Sequence, residues 1–403
     1  MQKLPHARVA GPLAPFADGF RAELDRLGYT GHSREYKINE VAGLSRWLDG
    51  EGLGVEDITE ALVTAALAEF RAGRQTVPTA WAMRPLLVWL REQDLIAAEA
   101  LPVSGGAVEE LIVGYRRWMA HDRGLAARTM GRYEQTASRF LAGRADIVGG
   151  NGVAGLDGAA VNGFLLAEAE RGLAVGSVKG RVAELRSLLR YLHVAGLTGA
   201  GLADAVPPVA GWRDTATPPT MAASDVQALL ASCDQSTSTG ARDYAMLTVI
   251  ARLGLRAAEV AGLVLSDLDW RAGEVAVRGK GRRGDRLPLP ADVGEAVAAY
   301  LSEHRPPANS RTVFLSAVAP WRALGSTAVS QMVWRQCVRA NVAPVRAHRL
   351  RHALASELLA QGVKLVDISQ VLRHRDLATT AVYAKVDHRA LRDLALPWPA
   401  VTR

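Results

Sequence analysis

The chain has 403 residues, a formal net charge of +7, 49% hydrophobic residues and 22% charged residues. At about 150 residues per domain, this length predicts two or three domains that each bury a core. The composition is globular and excludes a disordered chain, a collagen-like chain and a coiled-coil rod. No apolar run reaches the roughly 18 residues of a membrane span, and prolines interrupt the N-terminal stretch, so we expect neither membrane insertion nor a signal peptide.

The positive charge is concentrated in the C-terminal part of the chain. Residues 217–403 carry 24 Lys and Arg against 16 Asp and Glu, whereas the preceding residues are almost neutral. A concentrated basic field favours a polyanionic partner, usually nucleic acid, although this signal alone is weak. The two cysteines, Cys233 and Cys337, are too few for a disulfide framework and indicate a reducing cytoplasm.

Proline and glycine clusters divide the chain. Residues 203–220 contain two Pro-Pro pairs, which prevent a continuous helix and indicate an interdomain linker. Residues 101–106 form a softer boundary. The predicted organisation is two helical domains, a linker, a third domain and a tail, spanning 1–105, 106–202, 203–220, 221–393 and 394–403.

The first two domains resemble repeats of each other. Each is predicted to contain amphipathic helices and to end in a leucine-rich helix, beginning near Arg84 in the first domain and Leu185 in the second. Leucine and aromatic positions match at a constant offset of 102 residues. We interpret this as a duplication, although any two small helical bundles can share such periodicity.

The third domain is predicted to combine helices with a small sheet. Helical patterns cover Ala223 to Ala231 and Ala241 to Leu253, and another begins at Ala291 and reaches His304. Glu274 to Arg278 and Asp285 to Leu289 have the pattern of two short strands around a glycine-rich turn. The predicted fold class is therefore mainly α with a small antiparallel sheet, the third domain being α+β.

Four short stretches of the third domain concentrate cations and one phenol. Each residue has an ordinary explanation when taken alone: an ion pair of Arg256 with Glu259, a solvated Lys280, a helix-capping His374 and a half-buried Tyr383. His348 and Arg351 are three residues apart and share one helical face. The stretches are GLRAAEV from Gly254, RGKGRRGDRLPLP from Arg278, AHRLRH from Ala347 and LRHRDLATTAVY from Leu372.

Taken together, these residue types make a complete set for phosphoryl transfer. Arginines bind the non-bridging oxygens of a phosphodiester and stabilise the charge that develops there in the transition state. A tyrosine hydroxyl can attack phosphorus, and a lysine can protonate the leaving oxygen. This chemistry requires neither a metal nor another cofactor, and the sequence suggests none.

The motifs identify the chain as a member of the tyrosine recombinase (phage integrase) family. G-L-R-x-x-E, G-K-G, H-x-x-R-H and L-x-H-x-D-x-x-T-T-x-x-Y occur in family order over a resemblance that covers roughly 107–395. The resemblance implies that Tyr383 attacks DNA to form a 3′-phosphotyrosyl link and that Lys280 is the general acid. His348 and His374 would donate hydrogen bonds, with His348 as general base.

The same resemblance implies roles for the cations around the phosphate. Arg256 and Arg351 would clamp the scissile phosphate. Glu259 and His352 would orient the catalytic groups without contacting the phosphate themselves. The residue before His374 is often glycine in the family but is arginine here, and we expect it to add a phosphate contact. Our candidates for further DNA-phosphate contacts are Arg282, Arg283, Arg349, Arg373 and Arg375.

The resemblance also implies the architecture and partners. Residues 106–202 would form a core-binding domain that, with the catalytic domain, clamps duplex DNA at inverted-repeat-type sites in a tetrameric synapse. We expect a cytoplasmic, nucleoid-associated enzyme that moves a mobile element, with residues 1–105 contacting recombinase partners, accessory proteins or arm-site DNA. The alternatives are dimer resolution of the Xer type, a type IB topoisomerase-like activity and a non-catalytic DNA-binding derivative. A metal-dependent relaxase is disfavoured because its His-hydrophobe-His motif is missing.

Overall fold

The computed structural model describes residues 8–70, 80–97, 107–142, 152–199, 201–209, 221–279, 284–373 and 380. The chain forms two compact units, one made of residues 1–98 with 216–403 and the other of residues 99–215. Helices dominate both units, and the strands form one three-stranded antiparallel sheet. The predicted fold class, mainly α with a small antiparallel sheet, is therefore confirmed. None of the helices in the described ranges is long and apolar enough to cross a bilayer.

The N-terminal residues of the first unit pack as a helical bundle. The amphipathic pattern places Phe20, Leu24 and Leu44 on inward faces, where each is almost completely buried. The second helix begins after Thr30, whose hydroxyl accepts a hydrogen bond from the Ser33 amide at 3.3 Å. The helices are Ala17–Arg26, Gly31–Gly50, Glu60–Phe70 and Ala80–Glu92.

The second unit is a separate helical bundle around an aromatic and leucine core. Tyr115, Phe140 and Leu188 are among its buried residues. The leucine-rich helices of the two bundles bury matching positions at the offset of 102, for example Leu86 with Leu188 and Leu90 with Leu192. Equal burial is also what unrelated bundles produce, so the duplication stays a prediction. The helices here are Ala107–His121, Ala127–Ala142, Gly158–Glu170 and Val175–Val194.

The C-terminal part of the first unit combines helices and the sheet. The strand Glu274–Arg278 lies between Leu268–Asp269 and Gly284–Pro288, and it buries Val275 and Val277 on the face toward the core. The helices are Ala223–Ala231, Ser238–Leu253, Ala257–Ala261, Ala291–Ala299, Ser326–Arg339, Ala347–Ala360 and Leu365–Val371, with a π-helical turn over Tyr300–His304.

The sequence prediction of this part is close, with three differences. The strand over 274–278 and the helix over 223–231 have the predicted bounds, but the next helix starts at Ser238 because Thr237 caps it. The second predicted strand, Asp285 to Leu289, is observed over Gly284–Pro288, one residue earlier at both ends. The two-residue strand Leu268–Asp269 was missed because it is too short for an alternation signal. Both cysteines are buried and free.

A close backbone approach joins the N-terminal bundle to the C-terminal part of the same unit. The Trp321 amide donates a hydrogen bond to the Leu27 carbonyl at 3.0 Å. Gly28 follows with φ +84°, and a Cβ built on it would lie 2.1 Å from the Trp321 ring. Glycine is therefore required here both by the backbone conformation and by the space that the indole occupies.

We predict that Gly28→Ala lowers the free energy of unfolding by about 2–3 kcal/mol, through backbone strain plus overpacking. Gly52→Ala is the matched control, because Gly52 also has a positive φ, +68°, but its Cβ would meet nothing within 4 Å. This control should cost only about 1 kcal/mol. Urea denaturation of both variants measures the difference, and equal losses would contradict the contact with Trp321.

Candidate active site

Residues from three of the four motif stretches converge at the ends of helices in the C-terminal part of the first unit. Arg256 precedes the short helix Ala257–Ala261, and Glu259 lies within that helix. His348, Arg351 and His352 lie on the helix Ala347–Ala360. The residues that join these elements are Gly254, Leu372 and Arg373, which follow the ends of two further helices.

Gly254 allows the two arginine-bearing segments to approach each other. It ends the helix Ser238–Leu253 in the left-handed conformation with φ +60°. A Cβ at this position would lie 2.8 Å from a methyl carbon of Leu372 and 3.1 Å from one of Leu354. The glycine of the GLR motif is thus explained by packing as well as by its backbone conformation.

Among the predicted catalytic cations that the structure describes, Arg351 is the most deeply buried, with 1% of its surface exposed. Its Nη1 donates to the Gly254 carbonyl and its Nη2 donates to the Leu372 carbonyl. Both carbonyls belong to residues at the C-terminal ends of helices, where the helix dipole concentrates partial negative charge. The guanidinium therefore connects two helix ends and brings the segment around Gly254 to the segment around Leu372.

Glu259 is the anionic centre of the cluster. Its side chain is 4% exposed, and it accepts hydrogen bonds from the Arg256 amide at 2.8 Å and from Arg256 Nη1 at 2.7 Å. Arg373 Nη2 donates to the same carboxylate at 2.7 Å. Burial alone would raise the pKa of Glu259, but the Arg256 amide bond and the Arg373 charge outweigh burial and lower that pKa. Glu259 is therefore ionised and bound to two guanidinium groups.

Arg256 and Glu259 form the local ion pair that the sequence analysis gave as the ordinary, non-catalytic explanation of Arg256. It uses only Nη1 of Arg256, whose side chain stays 42% exposed. The remaining edge of this guanidinium can therefore meet an anion from outside. The ion pair and a phosphate-binding role are compatible.

Two histidines lie next to the buried arginine. The rings of His348 and His352 are 4.4 Å apart with an interplanar angle of 76°. Partial desolvation, together with the charges of Arg351, Arg256 and Arg349, lowers the pKa of His348. Burial, with the charges of His348, Arg349 and Arg351, lowers the pKa of His352 to about 4. Both imidazoles are thus neutral near pH 7, and a neutral imidazole can accept a proton.

Arg373 is placed differently from our expectation of a phosphate contact. Its side chain is 7% exposed and is directed to Glu259, with Asp285 3.9 Å from its Nε. The sequence did not indicate this partner because Glu259 is far away along the chain. Glu259 is the one carboxylate within GLRAAEV, but the other stretches also contain Asp285 and Asp376, so residue type alone did not select it as the partner of Arg373.

The other predicted residues divide into two groups. Arg349 lies on the helix Ala347–Ala360 beside His348, and its side chain is partly exposed. The remaining catalytic and phosphate-contact candidates lie outside the described residues, as does the tail over 394–403. These candidates are Lys280, Arg282, Arg283, His374, Arg375 and Tyr383.

The lowered pKa of His352 predicts a loss of stability in acid. Below the ordinary histidine pKa of 6.5 the unfolded chain binds a proton that the folded chain does not take up until about pH 4. The free energy of unfolding should therefore fall as the pH drops through this window, and His352→Gln should fall less steeply. Urea denaturation from about pH 7 to about pH 4.5 measures both slopes. Parallel slopes would show that His352 does not resist protonation in the folded state.

Comparison with known proteins places the chain in a family. Residues 219–389 match the phage integrase family. The chain is 40% identical to a putative integrase/recombinase of Sinorhizobium fredii, y4rA, over 99% of this chain and 97% of that protein. It is 28% identical to the tyrosine recombinase XerD of Listeria monocytogenes, over 71% of this chain and 97% of that protein.

Two solved structures show the same fold. A lambda integrase dimer bound to a COC′ core site matches with a TM-score of 0.55 and 16% identity, over 70% of this chain and 96% of that chain. The XerH site-specific recombinase bound to a palindromic difH substrate matches with a TM-score of 0.51 and 16% identity, over 98% of this chain and 99% of that chain. With a full-length relative of 40% identity and a helical fold with one small sheet, this chain belongs to the phage integrase family of tyrosine recombinases and is a site-specific DNA recombinase.

Proposed function

We propose that this recombinase cuts and rejoins duplex DNA through a 3′-phosphotyrosyl intermediate, and that it integrates, excises or transposes a mobile element. The observation that carries the proposal is the convergence of Arg256 and Arg351, which come from separate motif stretches. Arg351 is bound to the carbonyl of Gly254, only two residues before Arg256. The exposed guanidinium edge of Arg256, with the neutral imidazole of His348 nearby, suits a phosphodiester, while the buried guanidinium of Arg351 adds positive charge and fixes the segment that carries Arg256.

We propose that Tyr383, His348 and Lys280 carry out the cleavage step between them. The Tyr383 hydroxyl oxygen attacks phosphorus, and its proton passes to the neutral imidazole of His348. The bond between phosphorus and the 5′ oxygen of the following nucleotide breaks. Lys280 gives a proton to this departing oxygen, which leaves as a 5′-hydroxyl. Arg256 and Arg351, with a hydrogen bond from His374, stabilise the charge on the non-bridging oxygens. Rejoining is the reverse reaction with another 5′-hydroxyl, so the phosphodiester energy is conserved and no ATP is consumed.

The proposed biological role, movement of a mobile element, is compared with the Xer role through the relatives that match this chain. The putative integrase/recombinase of Sinorhizobium fredii matches along 99% of this chain, whereas the XerD relative matches along 71%. Length does not separate the two roles, because the XerH structure matches 98% of this chain; the support for a mobile-element enzyme over chromosome or plasmid dimer resolution is the higher identity to the integrase/recombinase relative, 40% against 28%. A type IB topoisomerase-like reaction is separated by an assay with two labelled duplexes, because strand exchange needs both.

The proposed partner is duplex DNA with inverted-repeat-type sites, bound by a tetramer of this chain. Two matching structures contain DNA-bound recombinases, one a lambda integrase dimer on a core site and one XerH on a palindromic substrate. The basic excess of residues 217–403 supplies the charge for phosphate contacts. Residues 1–105 are proposed to contact partner recombinases, accessory proteins or arm-site DNA.

We predict that the unmutated protein forms a covalent adduct with a nicked duplex that carries the DNA flanking its gene. The nick lets the 5′-hydroxyl fragment diffuse away, so the phosphotyrosyl intermediate accumulates. Tyr383→Phe should abolish the adduct, detected after SDS denaturation, without weakening DNA binding. Tyr36→Phe is the control, because Tyr36 is an exposed tyrosine of the N-terminal bundle. DNA binding without any adduct in the unmutated protein would refute the enzyme mechanism.

We predict a pH dependence of adduct formation from His348. The pKa of His348 is lowered, so its imidazole stays mostly neutral when the pH falls to 6.5, the ordinary histidine pKa. The cleavage rate should therefore decline only below that pH. His348→Gln should lower the single-turnover rate about 10²- to 10⁴-fold and remove the acid decline. A decline centred at or above the ordinary histidine pKa in the unmutated protein would exclude His348 as the base.

A further inference from the structure

We propose that Arg373 is a positioning residue that prevents Glu259 from neutralising Arg256, and this inference rests on the proposed function. The side chain of Arg373 is 7% exposed and donates to the carboxylate that also binds Arg256. It therefore acts on the phosphate-binding arginine through Glu259 rather than through a contact of its own with DNA.

The charges of the cluster make a second cation necessary. Glu259 is ionised and almost completely buried, and it lies 2.7 Å from Arg256 Nη1. A lone carboxylate at that distance would cancel most of the charge that Arg256 offers to an incoming phosphate. Arg373 Nη2, also 2.7 Å from the carboxylate, supplies the missing counter-charge, so the trio keeps a net charge of one positive unit.

The backbone of Arg373 adopts a conformation that favours glycine. Its φ is +52°, in the left-handed region that a residue with a Cβ adopts only at an energetic cost. Glycine would relieve that cost, so the side chain must provide something in return. Within the described residues, Nε and Nη1 of Arg373 have no hydrogen-bond partner, and the interaction with Glu259 is the contact that its guanidinium makes at hydrogen-bond distance.

The position of Arg373 also ties the two phosphate-binding arginines together. The preceding residue, Leu372, accepts a hydrogen bond from Arg351 through its carbonyl. The side chain of Arg373 then reaches Glu259 and, through it, Arg256. Leu372 thus binds Arg351 through its backbone carbonyl. The next residue, Arg373, offsets through its guanidinium the negative charge of Glu259 beside Arg256.

The test compares Arg373→Gln with Arg373→Lys in the full chain. Both variants keep a Cβ and therefore the same backbone strain, but only lysine keeps the charge. In single-turnover cleavage of the nicked gene-flanking duplex at saturating protein, glutamine should lower the rate roughly 10- to 100-fold, as expected for a lost charge-assisted contact. Lysine should stay within about threefold of the unmutated rate, and the affinity of both variants for the duplex should change less than about twofold.

Glu259→Gln distinguishes a positioning role from a direct phosphate contact. If Arg373 acts through the carboxylate, adding Arg373→Gln to Glu259→Gln should lower the rate by less than about twofold. A full additional loss in the double variant would overturn the inference and favour a contact with DNA. Arg252→Gln is the charge control, because Arg252 is exposed and paired with Asp292 rather than with Glu259, and it should leave the rate unchanged.

The outcomes also separate this inference from the function on which it rests. If the unmutated protein forms no adduct, the recombinase mechanism fails and the role of Arg373 fails with it. If the unmutated protein forms the adduct and Arg373→Gln cleaves at the same rate, only the inference about Arg373 is refuted.

Discussion

A guanidinium with 1% of its surface exposed must find acceptors inside the protein, and Arg351 finds them in the carbonyls of Gly254 and Leu372. Those carbonyls end two different helices, so one side chain joins segments that are about a hundred residues apart. The requirement explains why Gly254 must be a glycine: a Cβ there would collide with Leu372 and Leu354 and separate the helix ends. The placement of the other cations depends on this junction.

The second constraint is the charge of Glu259. A buried carboxylate costs free energy unless cations and amides bind it, and here the Arg256 amide, the Arg256 guanidinium and Arg373 all do so. The carboxylate orients Arg256, and Arg373 keeps the group positive overall. Under the proposed function, the site binds a phosphodiester and stabilises added negative charge, and this needs both orientation and a surplus of positive charge.

The neutral histidines belong to the same electrostatic arrangement. The positive charges that we propose bind phosphate also lower the pKa of His348 and His352, because a further cation nearby is unfavourable. Partial desolvation acts in the same direction. A cluster built to bind a polyanion thereby keeps an imidazole able to accept a proton near neutral pH.

The sequence by itself determined the helical class, the small sheet and the candidate residues of the site. Local periodicity placed the strand Glu274–Arg278 and the helix Ala223–Ala231 at their observed bounds, and the ordered motifs selected Arg256, His348 and Arg351. Only the tertiary structure decided what these residues bind. The partners of Arg351 are backbone carbonyls, which no residue type reveals, and Arg373 meets Glu259 because two helix ends come together in space. Patterns along a chain record local preference and burial, whereas contacts between distant segments depend on how the elements pack.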